Sequence, residues 1–124
     1  MIKALIRTGF IITTVIFVFS SCEYENIVPI EAELPDSISF STDIIPIFEA
    51  NCNSSGCHNT GGIAPDLTPE YAYNNLMLYN FVDTTITPEQ TGLMLKLKGS
   101  MEKYILPQDY ELILFWVELN APNN

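Results

Sequence analysis

The segment Cys52-Asn53-Ser54-Ser55-Gly56-Cys57-His58 decides how the rest of this chain is interpreted. Two cysteines followed at once by a histidine can hold haem covalently, because the thiols form thioethers with its vinyl groups and the histidine binds the iron as its proximal ligand. The usual motif has two residues between the cysteines, whereas this chain has four. The serines and the glycine among them turn easily, so the longer segment can bulge. We therefore predict one covalent haem on Cys52 and Cys57, with His58, the only histidine, as proximal iron ligand.

Other uses of the same residues remain open. A Cys52–Cys57 disulfide would suit an exported protein, and the chain would then be a haem-free binding or structural module. A zinc site needs a fourth ligand, and no further histidine or unassigned cysteine supplies one. A redox Cys-x-x-Cys motif does not match the spacing.

The first residues indicate export. Lys3 and Arg7 precede an apolar run, residues 9–19, which ends in Ser20-Ser21-Cys22. This order is typical of a signal peptide, here residues 1–21, and the run is too short for a membrane span of about 20 apolar residues. Its end resembles the lipobox of bacterial lipoproteins, which implies that Cys22 is lipidated; the alternative is an ordinary cleaved signal with a spare thiol. One lipidated cysteine and two haem thioethers would use all three cysteines of the chain.

Charge narrows the possible partners. After residue 21 only three cationic side chains remain, Lys96, Lys98 and Lys103, against all fifteen acidic ones. This balance argues against binding nucleic acid or anionic lipid headgroups. Residues 22–39 are acidic, contain two prolines and show no sustained period, so we predict a tether that leads to one small domain, residues 40–124.

Helix signals divide that domain into about four helices, which predicts an all-α fold. The first helix is expected to be capped by Asp43 and to run into Cys52, with Pro46 in its first turn. Thr68-Pro69-Glu70 and Thr87-Pro88-Glu89 each resemble a cap followed by an N1 proline, and Gly99 ends the third helix. The last helix, about residues 107–119, would bury a stripe that contains Leu112, Ile113, Trp116 and Val117. Leu114 and Phe115 widen this surface, either for packing or for a partner.

Residues 40–122 resemble a class I cytochrome c domain of the kind found in short lipoproteins of double-membraned bacteria. The matching features are the opening segments 40–44 and 46–48, the segment 52–58, Pro65-Asp66-Leu67, Thr87-Pro88-Glu89, Leu97-Lys98-Gly99-Ser100-Met101, Ile113 and Trp116-Val117. The resemblance implies a small helical domain wrapped around one haem c, with crossing first and last helices and a methionine from the loop before the last helix as distal ligand. Glu102 follows Met101 where the family generally has proline.

The sixth iron ligand is sought among Met77, Met94 and Met101, the methionines that follow residue 21. Met94 has helical spacing with leucines, and Met77 is near a helix end, so both are expected in the core. Met101 follows a helix stop in a loop, where a side chain can reach iron. We predict Met101 as the distal ligand, with an open or otherwise filled sixth position as the alternative.

The expected function is that of a lipid-anchored monohaem cytochrome, a one-electron carrier outside the cytoplasm and not an enzyme. An open-site haem sensor is the alternative with haem. The electron donor and acceptor of the expected cytochrome are unknown redox proteins. The three lysines would either meet an acidic partner, neutralise haem propionates or offset a helix dipole. Glu23 rather than aspartate after Cys22 favours the outer membrane, with the domain facing the periplasm or the cell surface.

Overall fold

The computed structural model of the chain describes residues 34–124. Within this range it contains four α-helices and no strand: α1 Ile45–Asn51, α2 Ala72–Leu78, α3 Gly92–Lys98 and α4 Pro107–Glu118. A π-helical turn, Phe40–Ile44, continues into α1, and two 3-10 turns, Pro88–Gln90 and Glu102–Tyr104, precede α3 and α4. The predicted all-α class with about four helices is confirmed.

The predicted signal peptide, the predicted lipidation site Cys22 and most of the predicted tether lie outside the described residues. Within 34–124, none of the helices combines the length and the apolar composition needed to cross a membrane.

The first helical segment is capped differently from the prediction. Ser39, not Asp43, is the N-cap residue, and its hydroxyl accepts a hydrogen bond from the Thr42 amide at 3.4 Å. The Asp43 carboxylate instead reaches back and accepts from the Ser39 amide at 2.7 Å. The two side chains therefore bond across the same turn, as in a capping box. Pro46 lies in the first turn of α1, as predicted.

Helices α2 and α3 begin three or four residues later than their threonine–proline signals indicate. The Thr68 hydroxyl donates to the Asp66 carboxylate at 2.6 Å, and residues 68–71 form a turn in which the Tyr71 amide donates to the Thr68 carbonyl at 3.0 Å. Before α3, Thr91 is extended with ψ of 149°, and the Leu93 amide donates to the Phe81 carbonyl at 2.7 Å. Hydrogen bonds outside the helices therefore move both helix starts.

The core joins all four helices and is dominated by an aromatic cluster. The Phe40 ring lies 4.9 Å from Trp116, 5.3 Å from Tyr73 and 6.4 Å from Phe48, measured between ring centroids. Trp116 is fully buried, and its indole N–H donates to the Pro122 carbonyl at 3.0 Å. Such aromatic pairs contribute roughly 0.5–1.5 kcal/mol each beyond the apolar area they bury. This cluster fixes the start of the domain against α4.

Helix α4 buries much of the predicted stripe. Ile113, Trp116 and Val117 are buried, and Leu112 is partly buried. Leu114 and Phe115, for which a partner contact was one possibility, are also partly buried against the core.

The two ends of the described segment are bonded to each other. The Asn124 side chain accepts from the Phe40 amide at 2.9 Å and donates to the Ile38 carbonyl at 3.3 Å. Its backbone carbonyl accepts from the Ser41 amide at 2.9 Å. Ile38 is only 3% exposed, so the packed domain already includes the last residues of the predicted tether segment.

Candidate functional site

The segment between the cysteines is folded into a tight turn. The Cys57 amide donates to the Ser54 carbonyl at 2.8 Å, and Gly56, the third residue of this turn, has φ of 81°. A positive φ at that position is the conformation that glycine adopts at little cost in a type II turn. The His58 amide then donates to the Cys52 carbonyl at 3.0 Å. The turn thus accommodates the two additional residues and brings Cys57 and His58 back towards Cys52.

The His58 ring is oriented by backbone carbonyls. Its Nδ1 lies 3.1 Å from the Ile63 carbonyl oxygen and 3.0 Å from that of Pro65. A carbonyl oxygen only accepts, so Nδ1 must carry the hydrogen, and the lone pair of the neutral ring is therefore on Nε2. An acceptor bonded to the other ring nitrogen fixes the tautomer and raises the basicity of a metal-binding imidazole.

The loop that carries these carbonyls is itself held in place. The Leu67 amide donates to the His58 carbonyl at 2.7 Å, and the Asn53 side-chain amide donates to the Leu67 carbonyl at 3.0 Å. Nearer the turn, the Ile63 amide donates to the Cys57 carbonyl at 2.6 Å. Asp66 accepts from the amide and hydroxyl of Thr68, and these hydrogen bonds hold the pKa of its carboxyl below the usual value.

Gly62 is required in this loop for steric reasons. A Cβ atom on Gly62 would collide with the Cys57 carbonyl oxygen and would lie 2.5 Å from Asn59 Oδ1. Only glycine permits this approach, because ordinary side chains do not fit against backbone at such distances. The neighbouring Gly61 has φ of 81° and open space around it, so its requirement is conformational rather than steric.

All four predicted haem-site residues face one cavity of about 360 Å³. Its lining includes Cys52, Cys57, His58 and Met101. The remaining side chains are mostly apolar and come from α1, α2 and α3 and from the segments that follow them. They are Phe48, Asn51, Ile63, Ala64, Pro65, Leu67, Leu76, Phe81, Leu93, Lys96, Leu97, Ser100, Tyr104 and Ile105. An apolar cavity with a few convergent polar groups is the usual form of a cofactor site.

The three candidate methionines have different surroundings. Met94 is fully buried, and Met77 is partly buried against the core, in agreement with their predicted packing roles. Neither is among the residues that line the cavity. Met101 is half-buried at the start of the 3-10 turn, and its amide donates to the Lys96 carbonyl at 2.9 Å. Met101 is therefore the methionine that shares the cavity with His58.

The two thiols are free and differ in accessibility. Cys57 is exposed, whereas Cys52 is half-buried. Burial, with a smaller contribution from the neighbouring Cys57, raises the pKa of the Cys52 thiol to about 11. A thiol with this pKa is protonated at neutral pH, so Cys52 is a poor nucleophile without activation.

Several features of this site have no clear sequence signal. The Ile63 and Pro65 carbonyls act through backbone atoms, which any residue possesses, and only the Gly61-Gly62 pair hints at a close backbone approach. Lys96 lines the cavity, whereas Lys98 and Lys103 do not, and the Lys103 ammonium lies 4.7 Å from the centre of the Tyr104 ring. Spacing in the sequence does not distinguish these three lysines.

Within residues 34–124, no group of three or more histidine, cysteine, aspartate or glutamate side chains is arranged to hold a metal ion. Comparison of the chain with protein-family models, with curated proteins and with solved structures finds no match.

Proposed function

We propose that the protein is a lipid-anchored monohaem c-type cytochrome that carries one electron at a time outside the cytoplasm. The observation that carries this proposal is the shared cavity: two thiols, a histidine with its Nε2 lone pair free, and a thioether all line one apolar space. These donors suit haem c, because its covalent form needs two cysteines and its iron accepts nitrogen and sulfur ligands from opposite sides.

The chain's own residues would bind the cofactor as follows. Cys52 and Cys57 would hold haem through thioether bonds, each formed by addition of a thiol across a vinyl group, which consumes no oxidant. His58 would offer Nε2 to the iron, while the Ile63 and Pro65 carbonyls keep the ring hydrogen on Nδ1. Met101 would offer its thioether as a second ligand.

Haem iron provides the redox chemistry, since it cycles between ferrous and ferric states. The protein would contribute two side chains that can bind the iron, His58 and Met101, and an apolar lining that limits the access of water. A neutral, soft thioether would favour ferrous iron and raise the reduction potential. Binding by both side chains would also disfavour small ligands, which is the property expected of an electron carrier.

Covalent attachment is tested by a pyridine haemochrome spectrum of protein matured in a host that attaches haem c. Wild-type protein should retain haem through acid–acetone extraction. Cys52→Ala and Cys57→Ala should each lose one thioether and shift the haemochrome band, whereas Cys22→Ala should not. If extraction removes all haem from the wild type, the cytochrome function is wrong and the disulfide-stapled, haem-free module replaces it.

The anchor belongs to the proposal as well and is tested separately. We place the lipid on Cys22 and the protein at the outer membrane, with the domain facing the periplasm or the cell surface. Labelled fatty acid should enter the wild type and not Cys22→Ser. Equal labelling of the two proteins would contradict the lipoprotein assignment while leaving the haem site standing.

A further inference from the structure

The cavity is electrostatically unlike the rest of the domain. Among the described residues, its lining contains no aspartate or glutamate, although the chain has fifteen acidic side chains. It does contain Lys96, one of only three lysines that follow residue 21. A cation without a carboxylate on the same wall favours a ligand that carries negative charge at one edge.

The polar groups near Lys96 come from one short segment. Lys96, Ser100 and Tyr104 follow one another at intervals of four residues, and all three line the cavity. Backbone hydrogen bonds hold the segment: the Lys96 carbonyl accepts from the Met101 amide at 2.9 Å, and the Met101 carbonyl accepts from the Tyr104 amide at 2.9 Å. Lys96, Ser100 and Tyr104 are also exposed, so each of them lines the cavity while part of it remains in contact with solvent.

We propose that Lys96, assisted by the hydroxyls of Ser100 and Tyr104, binds the carboxylate groups of the tetrapyrrole and keeps them ionised. This inference rests on the proposed function and assigns one edge of the same cavity. It also gives Lys96 a role that Lys98 does not have. Both lie in the last turn of α3, where either would offset the helix dipole, but only Lys96 lines the cavity.

The effect on the iron follows from electrostatics. A cation beside a carboxylate lowers the carboxyl pKa, so the carboxylate of the wild type stays charged and neutralised across the neutral pH range. In Lys96→Gln the carboxylate loses its partner, its pKa rises, and its uncompensated charge favours ferric iron. Because Lys96 is exposed, solvent and salt weaken this effect, and we expect the lost charge to change the ferric-to-ferrous ratio by about threefold.

The test is the reduction potential of the full-length holoprotein as a function of pH, preceded by the haemochrome assay on each variant. Lys96→Gln should raise the ferric-to-ferrous ratio about threefold at fixed applied potential and should make the potential pH-dependent between about pH 5 and pH 8, where a raised carboxyl pKa falls. Lys98→Gln, the matched control, removes an equally exposed charge that does not line the cavity, and should leave the pH profile of the wild type unchanged. Lys96→Arg retains the cation and should restore the wild-type profile.

The outcomes separate this inference from the proposed function. If the wild type holds covalent haem but Lys96→Gln and Lys98→Gln give the same potential and the same pH profile, the carboxylate site is wrong and the cytochrome stands. If the wild type already shows the pH dependence expected of Lys96→Gln, the site is likewise wrong. If the wild type holds no covalent haem, both proposals fall.

Discussion

Replacing Met101 and Met94 separately by alanine distinguishes an iron ligand from a core side chain. The two changes remove the same atoms from residues seven positions apart. Met94 is 0% exposed and belongs to the central core, whereas Met101 is half-buried on the cavity wall. Met94→Ala should therefore lower stability and leave the iron's ligands unchanged. Met101→Ala should change the iron's ligands and lower stability less.

The expected loss of stability in Met94→Ala follows from the complete burial of the Met94 side chain. Truncating a fully buried methionine to alanine costs about 2–5 kcal/mol, through lost transfer free energy and the cavity left behind. In a domain of this size each kcal/mol lowers Tm by roughly 4–8 °C, so Met94→Ala should melt at least about 8 °C below the wild type. Met101→Ala leaves less empty space, because its side chain is already partly in contact with solvent, and we expect less than about half of that fall.

Ligation is measured by the weak near-red charge-transfer absorption of ferric haem with a methionine ligand, and by carbon monoxide binding to the reduced form. Met101→Ala should lose the band, lower the reduction potential and bind carbon monoxide where the wild type resists it. If Met101→Ala keeps the band, Met101 is not the ligand. If the wild type lacks the band and binds carbon monoxide freely, the electron-carrier function is wrong and an open-site haem protein replaces it.

Three further predictions concern the loop and the thiols. Gly62→Ala should destabilise the protein by about 1–3 kcal/mol through overpacking and weaken histidine ligation in the haem spectrum. Gly61→Ala should also lower stability, because φ of 81° favours glycine, but its Cβ meets no neighbour and it should leave that spectrum unchanged. Identical spectra would contradict the steric argument. In protein made without haem, iodoacetamide at pH 8 should modify Cys57 faster than Cys52 by mass spectrometry, because Cys57 is exposed whereas Cys52 is half-buried and burial raises its pKa from 9.0 to about 11. That rise removes about a hundredfold of the Cys52 thiolate and raises its nucleophilicity by only about tenfold. The depressed pKa of Asp66 gives stability that is present above the ordinary carboxyl pKa of 3.8 and is lost as the pH falls through the lower pKa of the folded state. Asp66→Asn should therefore reduce the fall of Tm on acidification below about pH 4. An unchanged fall of Tm would refute this linkage.

Local signals in the sequence predicted much of the fold. The proline of α1 and the proline that begins α4 lie in the first turns of their helices, because proline there sacrifices an amide that has no helical partner. The apolar stripe of α4 identified Ile113, Trp116 and Val117 as core, since helical periodicity places them on one side. The serines and glycine between the cysteines indicated a turn, and Gly56 makes it with a positive φ.

The sequence alone could not place the starts of α2 and α3. Thr68 has the side chain of a helix cap, but its hydroxyl bonds to Asp66, and the Leu93 amide bonds to Phe81 from another part of the chain. A local pattern does not contain such competing partners. Likewise, Ser39 rather than Asp43 caps the first helical segment, because the helical turn already begins at Phe40, and the Asp43 carboxylate accepts from the Ser39 amide instead.

The features of the site are likewise partly predicted by the sequence and partly set by the tertiary structure. The sequence by itself determined which donors exist: two thiols, one imidazole and a thioether after a helix stop. Only the tertiary structure brings Met101 to the wall that holds His58, buries Cys52 while exposing Cys57, and selects Lys96 from three lysines. It also supplies the Ile63 and Pro65 carbonyls that orient His58. These outcomes depend on how distant segments pack and on backbone atoms common to every residue, and neither is encoded in the spacing of residue types.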